Sequence, residues 1–417
     1  MSELLTALSV VFMVGGAFLL AGHWFGLPTV PFFIIAGVVA GVFIEEALTL
    51  ELARFGIILL VFTFSVRIQF EAIRTVLTDS EAVALGQAFG LGALGIAAGF
   101  VVGFPADQAI FLGIAAGLSS TTVGTSLLQP TIRSSLVQGR TAETIQFVQD
   151  LLAIFVVLVL SAETFAADPI ATQLGYGVVL LVGAIVVKRH LFGLLERFSE
   201  GSDELMLVGA IALLTAFLGA AEFVGVSPVV GAFIAGLGIR RDPAEHLEML
   251  NGLESIKDFF AAIFFVTLGA LVTVPTFEVA LAAVLLAALT AFVKPIVIIV
   301  LLQYTGYDAR SATLTSLSID QVSEFALIIA IEALVLGILA QPVFNAIILA
   351  AAVTMITASF SSRHDEYVYR VLADHGLLRR RHGNVDERSA APEDVSDHVI
   401  VVGFGRQGRR LVETCET

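Results

Sequence analysis

Apolar residues along this chain neither alternate nor keep to one helical face. They run on, stretch after stretch, for about the twenty residues that carry a helix across a hydrocarbon core. Glycine, proline or charged residues close each run. Between that punctuation the sequence predicts about thirteen spans, near residues 4–22, 27–45, 49–66, 82–103, 106–128, 143–162, 171–188, 204–223, 225–239, 255–273, 277–303, 309–336 and 339–361. The ninth is short, and the twelfth is polar through its first half. No lysine or arginine precedes the first run, so it reads as a retained span and not as a secretory leader. The fold class predicted is an all-α polytopic membrane protein.

Basic residues test this division independently. Arg67 and Arg74 follow the third span, Arg133 and Arg140 the fifth, and Lys188, Arg189 and Arg197 the seventh. Arg240 and Arg241 follow the ninth, Arg310 the eleventh, and Arg363, Arg370, Arg379, Arg380 and Arg381 the last. Loops after even-numbered spans carry essentially none, Arg54 near the start of the third span being the nearest exception. Such alternation is the positive-inside bias. It places the N-terminus outside and the C-terminus in the cytoplasm.

Composition agrees: 57% of the 417 residues are hydrophobic and 14% are charged, unlike any soluble globular class. The net charge of −15 argues against a nucleic-acid partner, which requires a basic footprint. Only three of the 22 basic residues are lysine, a balance that fits a salt-adapted surface. A single cysteine, Cys415, excludes a disulfide framework within the chain, and the seven histidines lie in loops without metal-ligand spacing.

Residues 362–396 lose the hydrophobicity and read as a charged cytoplasmic linker. Beyond it, "HVIVVGFGRQGRRLV" has a strand, a glycine turn and a helix start, with Gly403, Gly405 and Gly408 in G-x-G-x-x-G spacing. This is the context of a Rossmann-like dinucleotide-binding unit and makes a regulatory nucleotide its candidate ligand. The sequence stops nine residues after Gly408, ahead of the ribose-binding acid expected about twenty residues on. Residues 397–417 are therefore expected neither to fold alone nor to bind nucleotide by themselves. An oxidoreductase is discounted, since no substrate-domain chemistry follows the motif.

The chemistry lies within the apolar runs. In "FVQDLLAIF", Asp150 follows Gln149 and opens an uninterrupted apolar stretch; a carboxylate at that depth costs several kcal/mol or titrates. Asp150 is either a structural or interfacial acid or part of an ion or proton path, and the second role is the commoner for intramembrane acids. Lys294, in "TAFVKPIVIIV", lies too deep to snorkel and precedes Pro295, which frees a carbonyl. Either it binds such carbonyls or it pairs with an acid, Asp150 being the evident partner. Ser119, Ser120, Thr121 and Thr122 stand between Gly117 and Gly124 in the fifth span, and Ser318, Asp320, Gln321, Ser323 and Glu324 interrupt the twelfth. Small hydroxyl residues also serve ordinary helix packing. Two interruptions seven spans apart instead fit two six-span repeats of opposite topology joined by span seven, with two broken helices crossing at a binding site.

"GLSSTTVGTSLL", then "QD", then "DQVSEFALIIA" resembles, in this order and spacing, the cation:proton antiporter-2 family. Within it the likeness is to Kef-type potassium/proton and sodium/proton exchangers with a C-terminal nucleotide-binding regulatory domain. "ARFGIILLVFTF", "VVGAFIAGLGI" and "ESIKDFFAAIFFVTLGALV" match as well, so the resemblance covers about residues 27–361 and 398–412. Two stretches depart: Ser323 replaces a common glycine, and "SVRI" (65–68) stands where relatives commonly show "GLEL".

The resemblance implies a sodium/proton antiporter fold of a dimerisation panel and a mobile core, a homodimer in lipid, and no cofactor for transport. Asp150 would bind a monovalent cation (Na+ or K+) or a proton in turn, with Gln149 beside it and Lys294 as its proton-coupled partner. Ser120, Thr121 and Thr122 would line the site with Gln321 and Glu324, and Asp320 would be a further acid there. The implied activity is monovalent cation/proton antiport by an elevator-type alternating access. Gln149 favours one cation per proton, while Lys294 is the companion found in electrogenic relatives. Competing readings are a nucleotide-gated potassium efflux channel, for which no TVGYG-type filter is present, and an ion-coupled organic-anion symporter on the same scaffold.

Overall fold

Inside hydrocarbon a backbone must satisfy its own polar groups, so the apolar runs have helix as their only local solution. The computed structural model is all-helical over the residues it describes: 3–25, 27–66, 68, 80–121, 123–124, 127, 137–162, 166–193, 202–239, 247–376 and 378. In chain order the helices are α1 (Glu3–Phe25), α2 (Thr29–Ala40), α3 (Glu46–Val66), α4 (Ser80–Val102), α5 (Ala106–Gly117) and α6 (Val137–Leu160). Then come α7 (Ala167–Leu191), α8 (Asp203–Phe223), α9 (Pro228–Leu237) and α10 (Leu247–Ala270). The last are α11 (Phe277–Tyr304), α12 (Ala309–Ser318), α13 (Glu324–Val335), α14 (Gln341–Arg363) and α15 (Asp365–Asp374). Among the described residues, eight helices are long and apolar enough to cross a membrane.

Helix starts extend beyond the apolar runs. The runs place starts at 143 and 255, whereas α6 begins at Val137 and α10 at Leu247. Both extra turns are polar ("VQGRTAE" and "LEMLNGLE"), so hydropathy alone misses them. The first residues of the expected linker are helical: α14 runs to Arg363, and α15 packs on α12. There Arg310 Nε donates to both carboxylate oxygens of Glu366, at 3.2 and 3.1 Å. Residues 397–417, with Gly403, Gly405 and Gly408, lie outside the described residues.

The helices pack as two groups. In one, α10 lies on α2 and α3, and α9 lies between α3 and α8. Glycines set this approach: a Cβ added at Gly37 would overlap the Val266 carbonyl oxygen, and one at Gly269 that of Ile34. Lipid tails are as apolar as leucine, so this intimacy of small residues, and not hydrophobic burial, holds the helices together. In the other group α4 packs along α5 and against α6, while α11 meets α4, α12 and α14. A Cβ at Gly95 would stand 2.7 Å from Leu112 O, and one at Gly117 would stand 2.6 Å from Ala88 O. That closeness brings α4 side chains within reach of the α5 terminus.

α7 touches both groups, contacting α6 and α9. Phe64 of α3 meets Phe325 of α13 edge-on, with ring centroids 5.1 Å apart. Polar ties join the groups where α6, α10 and α13 end and α9 and α14 begin. Ser227 N donates to Ser161 Oγ (3.0 Å), and Ser227 Oγ donates to Glu332 Oε2 (3.4 Å). Gln341 Nε2 donates to Leu271 O (2.8 Å), and Asn345 Nδ2 to Thr273 Oγ1 (2.6 Å).

Because Gly269 sits on the α2 backbone, a Gly269→Val protein has to push α2 and α10 apart, an overpacking cost of about 1–3 kcal/mol. Its midpoint in a detergent thermal-unfolding assay is expected below wild type. Gly183, with open space at its Cβ position, is the control, and equal losses at both glycines would rule out the close-approach argument.

Candidate functional site

A helix that stops inside a membrane leaves carbonyls and amides without partners, and here neighbouring side chains take them up. α5 ends at Gly117, the chain runs non-helically through residues 118–120, and helix resumes at Thr121, Val123 and Gly124. Gln87 of α4 donates to Gly117 O at 3.0 Å. Its amide oxygen accepts from Gln149 Nε2 at 2.7 Å, and Gln149 Oε1 accepts from Ser119 N at 2.8 Å. Ser120 O accepts three donors: Gln146 Nε2 at 2.6 Å, Gln321 Nε2 at 3.1 Å and Gly124 N at 3.1 Å. Ser120 Oγ caps the resumed helix by accepting from Val123 N at 3.1 Å.

The second interruption occupies residues 319–323, between α12 and α13. Asp308 caps the start of α12, its Oδ1 accepting from Ser311 N at 2.8 Å. Ser323 caps α13, its hydroxyl accepting from Phe325 N at 3.0 Å. This hydroxyl thus supplies a bond that a glycine here could not. Val322 N donates to Thr354 Oγ1 of α14 at 3.2 Å.

Lys294 joins the two interruptions. Its Nζ donates to Leu118 O at 2.7 Å and to Gln321 O at 2.9 Å. Pro295 lacks the N–H that the Ala291 carbonyl would accept, and the helix widens to a π turn over Leu289–Val293 directly before the lysine. The ammonium meets one carbonyl at the C-terminal end of α5, where the helix dipole is negative, and one inside the second interruption. The expected pairing of Lys294 with Asp150 is therefore not what this conformation holds. The released carbonyls take the lysine, and its electrostatic neighbour among the acids is Asp320.

Asp150 lies in α6 beside the first interruption and is 1% exposed. Thr121 Oγ1 donates to its Oδ2 at 2.8 Å, while Oδ1 is buried without a hydrogen-bond partner. Glu324, in the first turn of α13, is a neighbouring acid. The fold thus gathers Asp150, Gln149, Ser120, Thr121, Lys294, Asp320, Gln321 and Glu324 around the two interruptions; Thr122 lies outside the described residues. Their roles differ from expectation in places. Gln149 has both ends of its amide engaged by Ser119 and Gln87, and Ser120 offers its carbonyl as the hub while its hydroxyl is a cap. Gln87, Gln146 and Thr354 were not expected. For Gln87 and Thr354 the signal was an uncharged hydrogen-bonding side chain inside an apolar run, which is expensive without a partner.

A family description, "sodium/hydrogen exchanger, transmembrane", matches residues 8–363. YbaL of Escherichia coli (strain K12), named as a cation/proton antiporter, is 26% identical over 405 residues, covering 91% of this chain and 72% of YbaL. The Na(+)/H(+)-K(+) antiporter GerN of Bacillus cereus is 27% identical over 351 residues, covering 80% of this chain and 88% of GerN. K(+) efflux antiporter 4 of Arabidopsis thaliana is 26% identical over 352 residues, but the chain spans only 59% of its length. The solved structure of the sodium proton antiporter MjNhaP1 from Methanocaldococcus jannaschii superposes with a TM-score of 0.62 at 14% identity, covering 89% of this chain and 99% of that one. That likeness is one of fold.

Replacing Lys294 by methionine keeps the bulk and removes both donated bonds. Hydrogen bonds to charged groups contribute about 1.5–3 kcal/mol each, so Lys294→Met is expected to unfold in detergent at a clearly lower temperature, independent of any transported ion. A wild-type melting temperature would mean that the lysine does not hold the interruptions together.

Proposed function

This chain belongs to the sodium/hydrogen exchanger family, in its cation:proton antiporter-2 branch, and from that membership we propose that it exchanges Na+ or K+ for H+ at Asp150. The observation that carries the reading is the pair of Asp150 oxygens. One is held by Thr121, and the other is buried and unpartnered where two interrupted helices meet. A carboxylate so placed is stable only with a cation or a proton on it. The two occupants exclude each other, and a neutralised site crosses a low-dielectric barrier far more cheaply than a bare charge. Alternating exposure of such a site gives obligatory exchange.

The finer reading is a thirteen-crossing protein with its N-terminus outside and its C-terminus in the cytoplasm. It consists of inverted repeats joined by α7, in a panel formed by the α1–α3 and α8–α10 group and a core formed by the other. The core moves against the panel as an elevator, and the panel is the surface of a homodimer. The ties from Ser227 and Asn345 then close the outer face. Residues 1–361 form the transport domain, 362–396 the link, and 397–417 the start of a nucleotide-binding regulatory domain carrying Gly403, Gly405 and Gly408. One cation per proton is favoured. Gln149 adds no second carboxylate beside Asp150, and Lys294 is engaged with carbonyls, so the cation has no ammonium to displace from Asp150.

The test is reconstitution in liposomes with an imposed pH gradient, an internal pH dye, and sodium, potassium or choline added in turn. Sodium or potassium is expected to dissipate the gradient in the wild type and choline is not, while Asp150→Asn falls to the rate of empty liposomes. Persistent exchange in Asp150→Asn would remove this residue from the reaction. Potassium flux without proton movement would favour a channel.

A further inference from the structure

The amide side chains around Ser120 divide into two kinds. Gln87 and Gln149 are engaged at both ends, as described. Gln146 and Gln321 are not. Each donates its NH2 to the same atom, Ser120 O, and the carboxamide oxygen of each is buried without a hydrogen-bond partner. Both residues are 0% exposed. The unpartnered oxygen of Asp150 belongs to the same group, because Gln146 and Asp150 stand four residues apart on α6 and so share a face. Gln146 is also fixed in place. A Cβ at Gly124 would overlap its amide nitrogen, so the glycine of the resumed helix is the seat on which the amide rests.

We propose that Gln146 supplies its carboxamide oxygen as a ligand to the transported monovalent cation, together with Gln321 and Asp150, and so helps to set which cation is taken. This rests on the exchange reading and deepens it. A hard cation that sheds its water needs several oxygens in its place, and Asp150 alone offers one or two. A buried carboxamide oxygen left unmatched carries a desolvation cost that a cation removes. Both glutamines are tethered through nitrogen, so their oxygens are oriented before the ion arrives and little ordering is lost on binding. Being neutral, they add ligands without adding charge, and the one-for-one exchange at Asp150 is undisturbed. Selectivity follows from the spacing of oxygens held by a shared tether.

The test compares wild type, Gln146→Met, which keeps length and loses both the oxygen and the NH2 tether to Ser120 O, and Gln146→Glu, which loses the same tether but keeps an oxygen at the same reach. Two readouts are taken: half-saturating sodium and potassium concentrations for exchange in liposomes, and the shift in melting temperature that either salt, against choline, gives the purified protein. Gln146→Met is expected to raise the half-saturating concentration of the preferred cation about tenfold, equivalent to about 1.4 kcal/mol. Its sodium-to-potassium ratio should change, and its cation-induced melting shift should be lost. Gln146→Glu is expected to retain tight cation dependence. If wild type exchanges but Gln146→Met keeps its half-saturating concentrations and cation ratio, the proposal is overturned, even if the variant melts earlier, since Gln146 is then only a tether. If wild type exchanges nothing, the exchange reading fails. The melting shift still decides the ligand: its loss in Gln146→Met supports cation binding, and its absence in wild type overturns it.

Discussion

Helices interrupted inside lipid create a local shortage of hydrogen-bond partners, and most of the arrangement described above answers that shortage. Gly117, Leu118, Ser120 and Gln321 expose carbonyls where α5 and α12 stop, and the Val322 amide is left at the same place. Water cannot serve them at this depth without opening a path. They are met by Gln87, Lys294, Gln146 and Thr354, each from a neighbouring helix, and by Gln321 of the second interruption. The close packing of α4 on α5, set by glycines, is what lets a side chain as short as glutamine bridge the gap. Remove the donors and the interruptions lose their reason to stay open.

A second constraint is charge. Asp150, Asp320, Glu324 and Lys294 are all buried, and every isolated charge among them is costly in hydrocarbon. The lysine is engaged by two carbonyls, which leaves Asp150 to the hydroxyl of Thr121. Amides rather than carboxylates occupy the remaining positions, giving the site many acceptor oxygens with little formal charge. On the exchange proposed above, a more acidic cluster would hold a cation too tightly to release it, and a less polar one would not hold it at all.

Much of this was legible in the sequence. Unbroken apolar runs indicated the helices and their order, and the polar interruptions near Ser120 and Gln321 indicated where helix would stop. Asp150 and Lys294 stood out because ionisable residues are rare in such runs. What could not be read was partnership. Which carbonyl Lys294 would meet depends on the crossing of helices far apart in sequence, and Gln87 and Gln146 look unremarkable until the glycines opposite them bring another backbone near. Polar first turns, as in α6 and α10, also lie beyond hydropathy, because they need no membrane to be helical.

Arg310 stands at the start of α12, the first half of an interrupted helix, and grips Glu366 of α15. The short helix after the last long one is thus fastened to the element that ends at the site, not to the group built around α3 and α10. If the group containing α12 is the one that travels, everything tethered behind residue 376 is cargo on the moving part. A folded mass there adds drag, and anything that anchors it acts as a brake on each stroke. Exposed ion pairs are weak, about 0–1 kcal/mol, so the coupling is a slipping clutch rather than a rigid axle, engaged at low ionic strength and loosened by the salt that the protein itself would move.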